Sequence, residues 1–108
     1  MKDINSIAIE VVMNAGDGRM KIDEALAAMA DGDLNGAQEL LKEAEALIVK
    51  AHNAQTEVIQ SQVSGESMEY SLLFIHAQDT LMTINTELRM TKKLLPIVKM
   101  LMEKKEEK

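Results

Sequence analysis

From Met68 to Met102 the sequence carries two apolar faces at helical spacing, and a chain this short can cover only one of them by itself. At roughly 100° per residue, Phe74, Ala77, Leu81, Ile84, Leu88, Leu95 and Met102 form one stripe, while Leu72, Ile75, Met82, Met90, Ile97 and Leu101 form a second, broader one. The first suits the interior of an antiparallel up-down-up three-helix bundle. No interior is left for the second, so it predicts a partner, and self-association is the simplest one. Asp79 stands in the middle of that second face, with Thr86 beyond it. A carboxylate on a buried interface is costly unless it is paired, protonated or bound to a cation.

The two preceding segments supply the other helices. Ile4, Ile7, Val11, Ala15, Gly18, Ile22, Ala25 and Met29 recur at three- and four-residue steps and predict one helix. Asn14-Ala15-Gly16-Asp17-Gly18 reads locally as a turn. The stripe keeps its phase across both glycines, so this stretch is expected to be a close-packing or weak point inside the helix. The break falls at Asp31-Gly32-Asp33, where Gly32 can take the left-handed position and Asp33 can cap the next helix. Leu34, Ala37, Leu41, Ala44, Ile48, Ala51, Gln55, Val58 and Gln62 line the second helix, which ends before Ser64-Gly65-Glu66-Ser67. Ser67 is the expected cap of a third helix beginning near Met68, with a kink expected at Pro96.

Composition narrows the class. The 108 residues form a single domain, 1–108, and only 2% are aromatic, which argues against a β-sandwich or barrel. A formal net charge of −6 opposes nucleic acid and anionic lipid over the molecule as a whole. The absence of cysteine removes disulfides, thiolate nucleophiles and Cys-ligated metals. With no signal-like or membrane-spanning run, the expectation is a cytoplasmic protein.

Several motifs fail on their own chemistry. Asp31-x-Asp33-x-Asn35-Gly36 opens like a calcium loop, but the position that must supply a bidentate glutamate is Lys42, and the second helix is already under way. Gly16-x-Gly18 lacks a third glycine and a preceding strand. A carboxylate-bridged di-iron site needs Glu-x-x-His, yet Val49 and Leu73 stand three residues before His52 and His76. His76-x-x-Asp79 remains, with an imidazole and a carboxylate one turn apart. A neutral imidazole is a nucleophile near pH 7 and can attack a phosphoryl group directly.

The stretch Ser71-Leu72-Leu73-Phe74-Ile75-His76-Ala77-Gln78-Asp79-Thr80-Leu81-Met82-Thr83 resembles the phosphorylation motif of the enzyme IIA component of the lactose/cellobiose class of bacterial sugar phosphotransferase systems, close to S-L-L-x-x-H-A-Q-D-H-L-M-T. Glu10-x-Val12 through Asn14-Ala15-Gly16-Asp17-Gly18-Arg19, and Ala51-His52-Asn53-Ala54-Gln55-Thr56-Glu57, agree in the same order, so the similarity spans essentially the whole chain.

The resemblance implies a homotrimer packed as a nine-helix bundle. It implies that His76 accepts a phosphoryl group from the carrier HPr and passes it to a cysteine of the cognate IIB protein, serving the membrane IIC subunit indirectly. Asp79 matches the family aspartate that gathers at the trimer axis around a divalent cation, commonly magnesium. Thr80 departs from the pattern, which commonly has a second histidine there. Gln78, Thr80 and Thr83 neighbour His76 on its helix, and His52 and Gln55 could approach from the same or an adjacent subunit; donation by these groups to the phosphoryl oxygens is an expectation, beside the plainer reading that His52 and Gln55 bridge helices. The sugar, whether lactose, cellobiose or diacetylchitobiose, is not set by this chain. The competing expectation is a trimeric metal-binding or regulatory bundle that has lost transfer.

Overall fold

A computed structural model of the chain describes residues 3–65 and 70–106. Three helices follow one another: α1 (Ile4–Ala30), α2 (Leu34–Val63) and α3 (Leu72–Glu106), with no strand among the described residues. None is long and apolar enough to cross a membrane.

The first junction forms as its residues dictate. Gly32 takes φ +82°, and the Asp33 carboxylate accepts a hydrogen bond from the Gly36 N–H at 2.9 Å. That carboxylate therefore caps α2, as the sequence predicts. The α1 helix is continuous through both glycines. Gly18 explains itself, because a Cβ there would lie 3.1 Å from Ile48 Cγ1 and 3.4 Å from the Ala44 carbonyl oxygen, so α1 and α2 can approach closely. At Gly16 a Cβ would meet nothing within 4 Å.

The third helix starts later than its periodicity predicts. Tyr70 and Ser71 are non-helical, and the first helical residue is Leu72. Ser67 and Met68 lie outside the described residues. The cap is Ser71, whose Oγ accepts from the Phe74 N–H at 3.0 Å and donates to Asn5 Oδ1 at 2.6 Å, joining the starts of α3 and α1. Ser71→Ala is expected to cost about 1 kcal/mol, read as a lowered urea midpoint with unchanged slope. Pro96 is accommodated inside α3, which runs on to Glu106.

The core is a single line of side chains where the three stripes meet. Ile7, Val11, Ile22, Val58 and Ile84 are the largest fully buried groups, accompanied by many alanines that let the helices approach. On α3 the buried stripe is Phe74, Ala77, Leu81, Ile84, Leu88 and then Thr91, whose hydroxyl donates to the Glu87 carbonyl oxygen at 2.7 Å. Leu95 and Met102, expected in this stripe, are only partly buried. The bundle measures 64 × 20 × 18 Å, too thin for α3 to bury a second face. Leu72, Ile75, Met82, Met90, Ile97 and Leu101 are accordingly all exposed, between 41% and 69%.

Candidate functional site

Every expected site residue lies on α2 or α3, and contacts between the helices fix which way each faces. His76, Thr80, Thr83 and Glu87 follow one another at four-, three- and four-residue steps, so they share one stripe of α3. Arg19 Nε donates to Glu87 Oε2 at 3.0 Å, which turns that stripe towards α1. His76 and Thr83 are exposed and Thr80 is half-buried. On the opposite flank, Lys92 Nζ donates to Glu45 Oε1 at 3.1 Å and marks the side facing α2.

His52 and Gln55 belong to that second flank. With Leu81, Met82 and Asn85 they line a cleft of about 360 Å³ between α2 and α3. Gln55 Oε1 is buried and has no hydrogen-bond partner among the described residues, an arrangement that costs free energy unless something else supplies a donor. Asn85 was not singled out by the sequence pattern, and its four-residue spacing from Leu81 is the signal that places it at the cleft. Gln78 is also on the α2 side, in a hollow of about 270 Å³ with Gln62, Tyr70 and Ile75.

Between the two flanks runs the ridge of Leu72, Ile75, Asp79, Met82, Thr86 and Met90, with Asp79 exposed. Thus the structure brings His76, Thr80 and Thr83 together on the α1 flank, sets Asp79 on the adjoining ridge, and places His52 and Gln55 across that ridge, in the cleft that Met82 borders on the α2 flank. No group of three or more His, Asp or Glu among the described residues could hold a metal within one chain.

The hydroxyls beside His76 are already engaged. Thr80 Oγ1 donates to the His76 carbonyl oxygen at 2.9 Å, and Thr83 Oγ1 to that of Asp79 at 2.8 Å. A hydroxyl has one hydrogen, so either threonine serves an anion as donor only after its χ1 turns away from the helix backbone. What remains is an accessible imidazole on a rigid helix, flanked by Leu72, Leu73 and Ile75, all exposed. Such a group can accept and release a small electrophile presented by another protein.

The profile of the PTS system, Lactose/Cellobiose specific IIA subunit family matches residues 6–99. The lactose-specific EIIA component of Staphylococcus epidermidis is 41% identical over 81 residues, spanning 75% of this chain and 78% of that one. The lichenan-specific phosphotransferase enzyme IIA component of Bacillus subtilis is 39% identical over 85 residues, spanning 79% and 77%. Among solved structures, the cellobiose-specific enzyme IIA of Bacillus anthracis superposes with a TM-score of 0.88 at 36% identity, covering 96% of this chain and 95% of that one. A IIA(chitobiose) protein solved in complex with HPr shares the fold, with a TM-score of 0.80 at 23% identity over 94% of this chain and 98% of that one. The match embraces all three helices and the stretch of α3 that carries His76 and Asp79, and the chain belongs to the lactose/cellobiose-specific IIA family of the sugar phosphotransferase system.

Proposed function

We propose that this protein relays a phosphoryl group through His76, accepting it from phosphorylated HPr and delivering it to a cysteine of a IIB protein. The observation that carries the reading is the exposed His76 on α3 beside Asp79 and Thr80, within the matched family span. In the first transfer the phosphorus–nitrogen bond of phospho-HPr breaks as a bond from phosphorus to a ring nitrogen of His76 forms. In the second, that new bond breaks as phosphorus bonds to the cysteine sulfur. Charge spreads over the three equatorial oxygens during each displacement, so the site must position the imidazole and leave room for in-line approach. An exposed imidazole on a helix of 35 residues meets both needs.

The working unit is a homotrimer assembled on the ridge of α3. Three ridges meeting at an axis bury the exposed Leu72, Ile75, Met82 and Met90. Three Asp79 carboxylates then converge, an oxygen donor set that suits a divalent cation such as magnesium. The cation, when bound, neutralises those carboxylates. Cyclic packing also sets the α1 flank of one subunit against the α2 flank of the next, so Gln78 reaches towards His76 of the neighbouring subunit rather than its own.

The test is to incubate the purified protein with phosphoenolpyruvate, enzyme I and HPr. One acid-labile, base-stable phosphate per chain is expected, and it should pass to a IIB cysteine on addition of that protein. Absence of label from the wild type would overturn the relay and leave a metal-binding or regulatory bundle, the reading that Thr80 favours by replacing the histidine common in the family motif.

A further inference from the structure

We propose that Tyr70 is a catalytic residue of the phosphoryl relay, its hydroxyl donating a hydrogen bond to the phosphoryl group carried by His76 of a neighbouring copy. The inference rests on the relay and the trimer put forward above, and adds to them a donor that the surroundings of His76 within one chain do not supply.

A phosphoryl group on an imidazole is an anion, and a site that holds it aims donors at its oxygens. The hydroxyls nearest His76 on its own helix are engaged, Thr80 Oγ1 with the His76 carbonyl oxygen and Thr83 Oγ1 with that of Asp79. A donor must therefore come from elsewhere.

Tyr70 is the chain's one tyrosine, stands two residues before α3 and is 81% exposed. Its hydroxyl makes no hydrogen bond among the described residues. A large aromatic side chain left in water adds little to the packing of its own chain, and a phenol pairs an apolar body with a polar tip that seeks a partner. Tyr70 lines the hollow of about 270 Å³ on the α2 flank together with Gln62, Ile75 and Gln78. Ser71 lines it too, but its hydroxyl donates to Asn5. No aspartate or glutamate among the described residues lines the hollow, so nothing described there repels an anion.

Height selects the tyrosine. Rotation about an axis parallel to α3 preserves height, so His76 of one copy comes to the α2 flank of the next at a level between that copy's Gln78 and Tyr70. Helical side chains lean towards the N-terminus and cover the turn before their own Cα. The imidazole and the group it carries therefore lie over the turn 72–75, displaced away from Gln78 and towards Tyr70. Within one chain the two residues do not meet, because Tyr70 lies on the α2 flank and His76 across the ridge on the α1 flank. The phenol keeps its hydrogen throughout; it holds the phosphoryl oxygens and takes no part in the bonds made or broken.

Equilibrium phosphoryl exchange with HPr reads this hydrogen bond, because Tyr70→Phe removes the O–H and keeps the ring. The exchange constant should fall about tenfold in Tyr70→Phe, with the trimer unchanged by light scattering. Mixed assemblies show whether the donor acts between copies. Coexpression of Tyr70→Phe with an excess of His76→Ala, which keeps its tyrosine and takes no label, should return the constant to the wild-type value. An excess of the double variant carrying both substitutions should not. An unchanged constant in Tyr70→Phe would overturn the donor, and a fall confined to Tyr70→Ala would reassign the ring to carrier docking. A loss that His76→Ala subunits do not repair would also overturn it. A wild type that takes no label would overturn the relay and the donor with it, whereas one that is labelled but monomeric at every concentration would overturn the trimer and the donor and leave the relay standing.

Discussion

His76→Ala is expected to take up no phosphoryl group from phospho-HPr, while His52→Ala keeps the label. The chain offers only these two histidines and no cysteine, so a covalent carrier has few choices of nucleophile. His76 is exposed on α3, and His52 sits in the cleft on the far flank, level with Met82 and Asn85. A donor protein can align its phosphohistidine with the first without moving a helix. Removal of an exposed side chain of this kind changes stability by no more than about 0.5 kcal/mol, so unchanged circular dichroism and urea midpoint should accompany the loss of label. The measurement is incorporation of radiolabelled phosphate from phosphoenolpyruvate, followed by acid and base treatment. Full labelling of His76→Ala, or equal loss in both variants, would sink the assignment of the acceptor.

How far the amino-acid pattern foretold the molecule differs from one feature to the next, and the reasons are physical. Stripes at three- and four-residue spacing located the three helices because burial is periodic on a helix. The Gly32 and Asp33 junction was legible because its conformation depends on local chemistry alone. The start of α3 was not: Ser67 and Ser71 are equally good caps in isolation, and Ser71 is the one whose hydroxyl also reaches Asn5, a contact 66 residues away in sequence. Thr91 was missed as a core residue because a hydroxyl that donates to the carbonyl one turn back is satisfied internally and can be buried.

Likewise the candidate site was legible in its members but not in its layout. Spacing put His76, Thr80 and Thr83 on one face of a helix; it could not say that Glu87, one turn further, would turn that face to Arg19 of α1. Only with that pair and the Lys92–Glu45 pair in place do His76 and the His52–Gln55 cleft fall on opposite flanks. The second apolar face of α3 was the most faithful signal of all, since every residue assigned to it is exposed.

That face supplies the second large expected effect, in Asp79→Leu. In the proposed trimer three carboxylates converge between Ile75 and Met82, and their charge must be offset by a cation. Taking ionised groups out of water costs several kcal/mol each, and replacing such a set with apolar residues of similar size often stabilises an interface by about 1–4 kcal/mol. The leucine variant should therefore remain trimeric, dissociate at lower concentration than the wild type, and lose any sensitivity to chelators. Light scattering over a dilution series, with and without EDTA, reads all three. Phosphoryl uptake should persist, because the substitution acts on the ridge and leaves His76 on its own stripe towards α1. Dissociation of Asp79→Leu to monomers would show the opposite balance, in which the ion bridging three carboxylates contributes more than their desolvation and mutual repulsion take away. A wild type indifferent to EDTA would remove the cation from the assembly and require the carboxylates to be held apart or protonated instead.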